Sequence, residues 1–290
     1  MTKALAHDEV APGPVERVGL PPLMALTAGR SDLVIGLLDG PVSLDHPGLD
    51  ARNIRVVPGF DAPTDASANH GTFVAGILSG RRDGTAPAIA PACVLLVRPV
   101  FTGELPSTSP ANLATALIDC VDAGARIVNL SAAESGTSVG EGTELADALD
   151  YAVRNGVLIV AAAGNRSVLG GSALVSHPWV IPVATPAGDD RSTLGRSIGR
   201  GLAVPDNEVF SLSPDGGTTV MAGTSVAAPF VTGAAALLWS LFPAATAAEV
   251  RFALLSPGGA TRRRVVPPLL DAWGAYPILR EMVNERSVRP

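Results

Sequence analysis

The sequence predicts an α/β protein, one domain with a central, mostly parallel sheet flanked by helices. Two observations carry that prediction. Short continuous apolar runs recur at Leu33–Leu38, Val94–Val97, Ala125–Leu130, Val157–Ala163 and Val180–Ala184. Runs without polar alternation mark strands buried on both faces, as in parallel sheets. Helical patterns lie between several of them, at 71–79, 109–123 and 143–155. Strands that alternate with helices give βαβ units. No internal repeat, low-complexity segment or linker interrupts the pattern, so one domain is the simplest reading.

Taken in order, residues 1–30 are Pro-rich and weakly patterned and read as an N-terminal arm. The body of the domain is placed at 31–260. Its first strand run stops at Asp39-Gly40-Pro41. The helix over 71–79 is apolar although it contains Gly71 and Gly76, each costing roughly 1 kcal/mol relative to alanine; they are tolerable where a backbone or partner helix approaches closely. Over 111–123, Leu113, Ala116, Leu117 and Cys120 fall on one face at helical spacing. Asn155-Gly156 ends the next helix in the usual C-terminal manner. The apolar stretch Val226–Phe242 is broken by Pro229, Thr232, Gly233 and Ser240, which predicts a buried helix and not a membrane span. The tail, 261–290, is expected to be a helix packed on the domain.

Composition narrows the function. The 290 residues are 47% hydrophobic and 17% charged, with 31 glycines and 25 prolines, which suits a loop-rich enzyme and excludes a disordered or coiled-coil chain. A net charge of −6 offers no general attraction to nucleic acid, and the clusters Arg81–Arg82 and Arg262–Arg264 read as solvated faces. Cys93 and Cys120 sit in apolar surroundings without CxxC spacing and read as buried free thiols. His7, Asp8, Glu9, Glu16 and Arg17 leave no signal-peptide hydrophobic region in the first twenty residues, so a cytoplasmic location is expected. His46 and His177 read as turn histidines.

Four segments carry the chemistry. Asp39 follows a buried strand, and burying an acid there is costly without a partner; read alone, Asp-Gly is also an ordinary turn. Asn69-His70-Gly71-Thr72-Phe73-Val74-Ala75-Gly76 opens an apolar helix with a histidine. Ala161-Ala162-Ala163-Gly164-Asn165 puts a side-chain amide at a strand end, where it can cap a turn or donate to a developing oxyanion. Gly223-Thr224-Ser225-Val226-Ala227-Ala228-Pro229 places Ser225 at a helix N-terminus, where the dipole favours negative charge, and Pro229 near the first turn.

Together these segments resemble the subtilisin-like serine peptidases (subtilases), over about Leu33 to Leu255. The order Asp39, His70, Ser225 is that of the subtilisin triad. The resemblance implies that Ser225 attacks a peptide carbonyl, His70 takes its proton, and Asp39 orients the imidazole. It further implies an oxyanion hole from Asn165 and the Ser225 amide, and an extended peptide or protein substrate paired along Asn129–Ala133. Ser131, Ala132, Ala133, Ala163, Gly164 and Arg166 are the implied substrate-binding residues. Asp39-Gly40-Pro41 departs from the family's Asp-Ser/Thr-Gly. With Gly19–Leu23 and Ala90–Leu95 it is similar to the proteases of cyanobactin maturation, which cut precursors of ribosomal natural products. Ala132-Ala133 replaces a common Leu-Gly and narrows the expected cleft. Arg166 is expected to favour an acidic residue before the cut. The resemblance makes calcium possible, but the basic loop Gly80–Thr85 offers few oxygen ligands, so no calcium is expected there and no cofactor is expected. A precursor-processing endopeptidase is therefore the first expectation. A broad-specificity intracellular subtilase and a catalytically silent peptide-binding scaffold are the alternatives.

Overall fold

In the computed structural model the described residues are 12–58, 68–101, 107–131, 133–134, 141–164, 173–186, 200–205, 208–256 and 267–288. The elements run α1 (Pro14–Arg17), α2 (Pro21–Leu26), β1 (Val34–Asp39), β2 (Ile54–Val56), α3 (Asn69–Ser79), β3 (Val94–Pro99), β4 (Ser107–Thr108), α4 (Pro110–Asp122), β5 (Ile127–Leu130) and β6 (Ala133–Glu134). They continue with α5 (Glu141–Arg154), β7 (Leu158–Ala162), α6 (Ala173–Ser176), β8 (Ile181–Ala184), β9 (Leu202–Ala203), β10 (Val209–Leu212), β11 (Thr218–Met221), α7 (Thr224–Leu241), α8 (Ala247–Leu255) and α9 (Ala272–Val288).

Seven strands form one sheet in the order β2-β3-β1-β5-β7-β8-β9, and every pairing in it is parallel. The five apolar runs are β1, β3, β5, β7 and β8, all with buried centres. The strand order turns at β1: β3 lies on one side of it and β5 on the other, so their carboxyl ends frame the crevice where open α/β sheets place their sites. Asp39, the last residue of β1, stands at that crevice.

One face of the sheet is covered by α3 and α7, the other by α4 and α5, and a separate apolar cluster fills each side. The N-terminal segment contributes to the first cluster: Leu20 and Leu23 are fully buried, so residues 14–26 form part of the packing. Leu270, Ala272, Ala275 and Leu279, in and before α9, are buried in the same cluster, and α9 packs on α8. Helix α7 is the one described helix long and apolar enough to cross a membrane, but it lies in the core with 16 of its 18 residues buried.

Beyond the far end of α3, Arg82 joins the N-terminal segment to the chain entering β3. Its guanidinium donates to four main-chain carbonyls, those of Met24 (2.5 Å), Thr27 (2.8 Å), Ala88 (3.3 Å) and Ile89 (2.9 Å). Neighbouring Arg81 pairs instead with Asp83, at 3.0 Å, in the loop expected to hold no calcium.

Candidate active site

Three elements bring Asp39, His70 and Ser225 to one point. Strand β1 ends in Asp39, whose side chain is fully buried; the first turn of α3 carries His70; the first turn of α7 carries Ser225. His70 Nδ1 lies 2.7 Å from Asp39 Oδ1, and His70 Nε2 lies 2.9 Å from Ser225 Oγ. The imidazole is therefore bonded at both nitrogens, as a donor to the carboxylate and an acceptor from the hydroxyl. Phe101 meets it edge-on at 6.3 Å between ring centres. The His70 side chain keeps 16% exposure, which leaves the cleft open to an incoming group.

The two glycines of the histidine helix have physical reasons. A Cβ at Gly71 would stand 2.2 Å from the Pro41 carbonyl oxygen and 2.3 Å from that of Gly40. A Cβ at Gly76 would stand 2.3 Å from Ser211 Oγ. Helix α3 thus sits against the backbone of the loop after Asp39 at a distance no other residue permits, and close against the side chains of β10. Gly71 directly follows His70, so this close approach lies beside the Asp39–His70 bond.

Burial pushes the His70 pKa down, while the charge of Asp39 and its hydrogen bond push it up. The carboxylate prevails, and the imidazole is held above its ordinary value of 6.5. The unusual motif after Asp39 has a structural counterpart. Gly40 donates its N–H to Asp39 Oδ1 at 2.6 Å, but it has no hydroxyl, and the buried Oδ2 is without a hydrogen-bond partner among the described residues. One carboxylate oxygen thus takes both bonds.

Of the other predicted residues, Ala163 and Gly164 follow β7, and the Gly164 amide donates to Thr224 Oγ1 at 3.2 Å, tying that strand end to the start of α7. Ser131 is buried beside Ser225, and its hydroxyl donates to the Ser225 carbonyl at 3.1 Å. Ala133 belongs to β6, and β4 occupies one edge of it, with Ser107 opposite Ala133. Ala132, Asn165 and Arg166 lie outside the described residues. Pro229 differs from expectation: α7 begins at Thr224, so the proline is its sixth residue, past the first turn.

Sequence reasoning placed Asn129 only on the expected substrate edge and Thr232 only as a break in an apolar run, and missed the bond between them. Asn129 is fully buried in β5; its amide donates to Ser131 Oγ at 2.8 Å, and its Oδ1 accepts from Thr232 Oγ1, also at 2.8 Å. The signal that could have found them is a lone amide inside an apolar strand and a hydroxyl in the middle of an apolar helix, each of which needs a partner once buried.

A parallel sheet carrying Asp, His and Ser in this arrangement defines the class, and the chain belongs to the subtilase family, whose model matches residues 30–258. Subtilisin NAT of Bacillus subtilis subsp. natto is 29% identical over 261 residues, covering 85% of this chain and 66% of that protein. The chain thus spans about two thirds of the length of Subtilisin NAT and of Subtilisin amylosacchariticus. Among solved structures, the prenylagaramide maturation protease PagA aligns with a TM-score of 0.74 at 29% identity, over 90% of this chain and 98% of that one. The protease domain of PatA, in a mutant form, aligns with a TM-score of 0.70 at 30% identity, over 88% and 97%.

Proposed function

We propose that the protein is a serine endopeptidase that acts through an acyl-enzyme, with a peptide precursor as its substrate. The observation that carries the first part is the continuous hydrogen-bonded line Asp39–His70–Ser225. Ser225 Oγ bonds to the carbonyl carbon of the substrate while its proton passes to His70 Nε2. That proton then goes to the leaving amine as the C–N bond breaks, and water later releases the acid by the same route. Asp39 fixes the tautomer that presents Nε2 to the serine and stabilises the charged imidazole. The Ser225 amide in the first turn of α7, together with Asn165, is assigned to the oxyanion.

The precursor role rests on the likeness to PagA and PatA, both maturation proteases, and on the Asp39-Gly40-Pro41 motif. The two free buried cysteines are consistent with a reducing, cytoplasmic setting. A fluorophosphonate probe tests the chemistry: the parent is expected to label, and Ser225→Ala and His70→Ala are expected not to. A folded parent that does not label would favour the silent scaffold. Incubation with casein and with a synthetic precursor peptide, read by mass spectrometry, tests the substrate. One or two cuts in the peptide and an intact casein are expected; extensive casein digestion would favour a broad-specificity protease.

A further inference from the structure

In a helix the carbonyl of residue i is taken by the amide of residue i+4. For Ser225 that residue is Pro229, which has no N–H. The nucleophile's own carbonyl therefore lacks its helical partner inside a buried helix, where an unmatched acceptor is destabilising. The structure supplies a replacement from another element. Ser131, just past β5, donates its hydroxyl to this carbonyl at 3.1 Å. Ser131 Oγ accepts from the Asn129 amide at 2.8 Å, and Asn129 Oδ1 accepts from Thr232 Oγ1 at 2.8 Å. Thr232 lies seven residues after Ser225, two turns along the same face of α7.

The relay is thus a closed staple that leaves α7 at Thr232, crosses through the middle of the sheet and returns at Ser225. All its bonds point the same way, an arrangement in which each polarises the next. Ser131, Asn129 and Thr232 are each at most 2% exposed.

We propose that Ser131, Asn129 and Thr232 are positioning residues that hold Ser225 at its attacking distance by capping the carbonyl that Pro229 leaves free. The role assigned to Ser131 shifts accordingly, from substrate contact to support of the nucleophile. Rigid support of a reacting atom matters because small misplacement of it lowers the rate steeply. The inference rests on the reading of Ser225 as the nucleophile.

The test compares the rate of fluorophosphonate labelling, and kcat and KM on a cleaved peptide, in the full chain. Ser131→Ala is expected to lower both the labelling rate and kcat about tenfold, with KM within about twofold of the parent. Adding Pro229→Ala is expected to recover most of that loss, because the substituted residue brings the amide that the Ser225 carbonyl lacks. A purely structural role would not be repaired this way. Thr232→Val, which removes the far end of the relay and touches nothing at the site, is expected to slow labelling about threefold. Ser131→Ala at the parent's rate overturns the proposal, as does a double variant that folds but is no faster than Ser131→Ala. Should the double variant not fold, Thr232→Val decides, and a parental rate there overturns it. A folded parent that does not label removes the nucleophile and overturns both this inference and the function beneath it.

Discussion

The two faces of the sheet are covered by helices of opposite character. Helices α3 and α7 have hardly any outer side: nine of the eleven residues of α3 and sixteen of the eighteen of α7 are buried. Both are rich in glycine, alanine and small hydroxyl residues: α7 is held between the sheet and a further layer made by α2, α8 and α9, and α3 between α7 and β10. On the other face, α4 buries seven of its thirteen residues and shows solvent a polar side. It is an amphipathic cover of the ordinary kind. His70 and Ser225 both stand on the doubly enclosed helices. Enclosure removes the freedom of a surface helix to shift, which a hydrogen-bonded line under 3 Å at each step requires.

Substitutions can break or sharpen this contrast. On the catalytic face, Asp39→Asn is expected to lower kcat/KM on the order of 10⁴-fold, the scale seen when other serine-protease triads lose their carboxylate and not one deduced from this geometry. It also moves the pH profile. Because Asp39 holds the His70 pKa up, the parent loses its neutral base as pH falls through that raised value. The variant's residual activity should therefore show its acid limb at lower pH. The same shift means that the charged pair stabilises the fold below the ordinary histidine pKa, and that this contribution fades as pH rises through the raised one.

Gly71→Ala is expected next, with a fall in kcat/KM of about 10²-fold, since the new methyl must push α3 away from the loop after Asp39. A parental kcat/KM for this variant in steady-state kinetics would show that the close approach does not set the Asp39–His70 pair.

On the covering face the rate should hold and stability should drop. Leu117→Ala removes a fully buried side chain of α4 and is expected to cost about 2–5 kcal/mol in denaturant unfolding. Ser109→Ala removes the hydroxyl that caps α4 by accepting from the Asn112 amide, at about 1 kcal/mol. A change in kcat beyond about twofold in either folded variant would show that the two faces are not separable.

Much of this is readable from the chain. β1, β3, β5, β7 and β8 are legible because strands buried on both sides need unbroken apolar runs. β2 and β9 span only three and two residues, too short for any period to register. The hairpin of β10 and β11 escapes the apolar-run criterion, although Pro214-Asp215-Gly216-Gly217 between its strands is a turn signal. His70 and Ser225 stand out because each sits among small residues that tertiary contact demands, and Asp39 because it is an acid at the end of a buried strand. The Ser131–Asn129–Thr232 relay does not, since its bonds join residues 94 and 103 positions apart and no local spacing encodes them.

Arg82 carries a consequence of another kind. It gathers four carbonyls from two segments around one positive charge, and that charge is covalently part of the chain. A cation supplied by a side chain is always present at one equivalent, does not dissociate on dilution, and stays protonated across the working pH range. The four bonds that Arg82 makes between the N-terminal segment and the approach to β3 therefore do not rest on a cation that can leave.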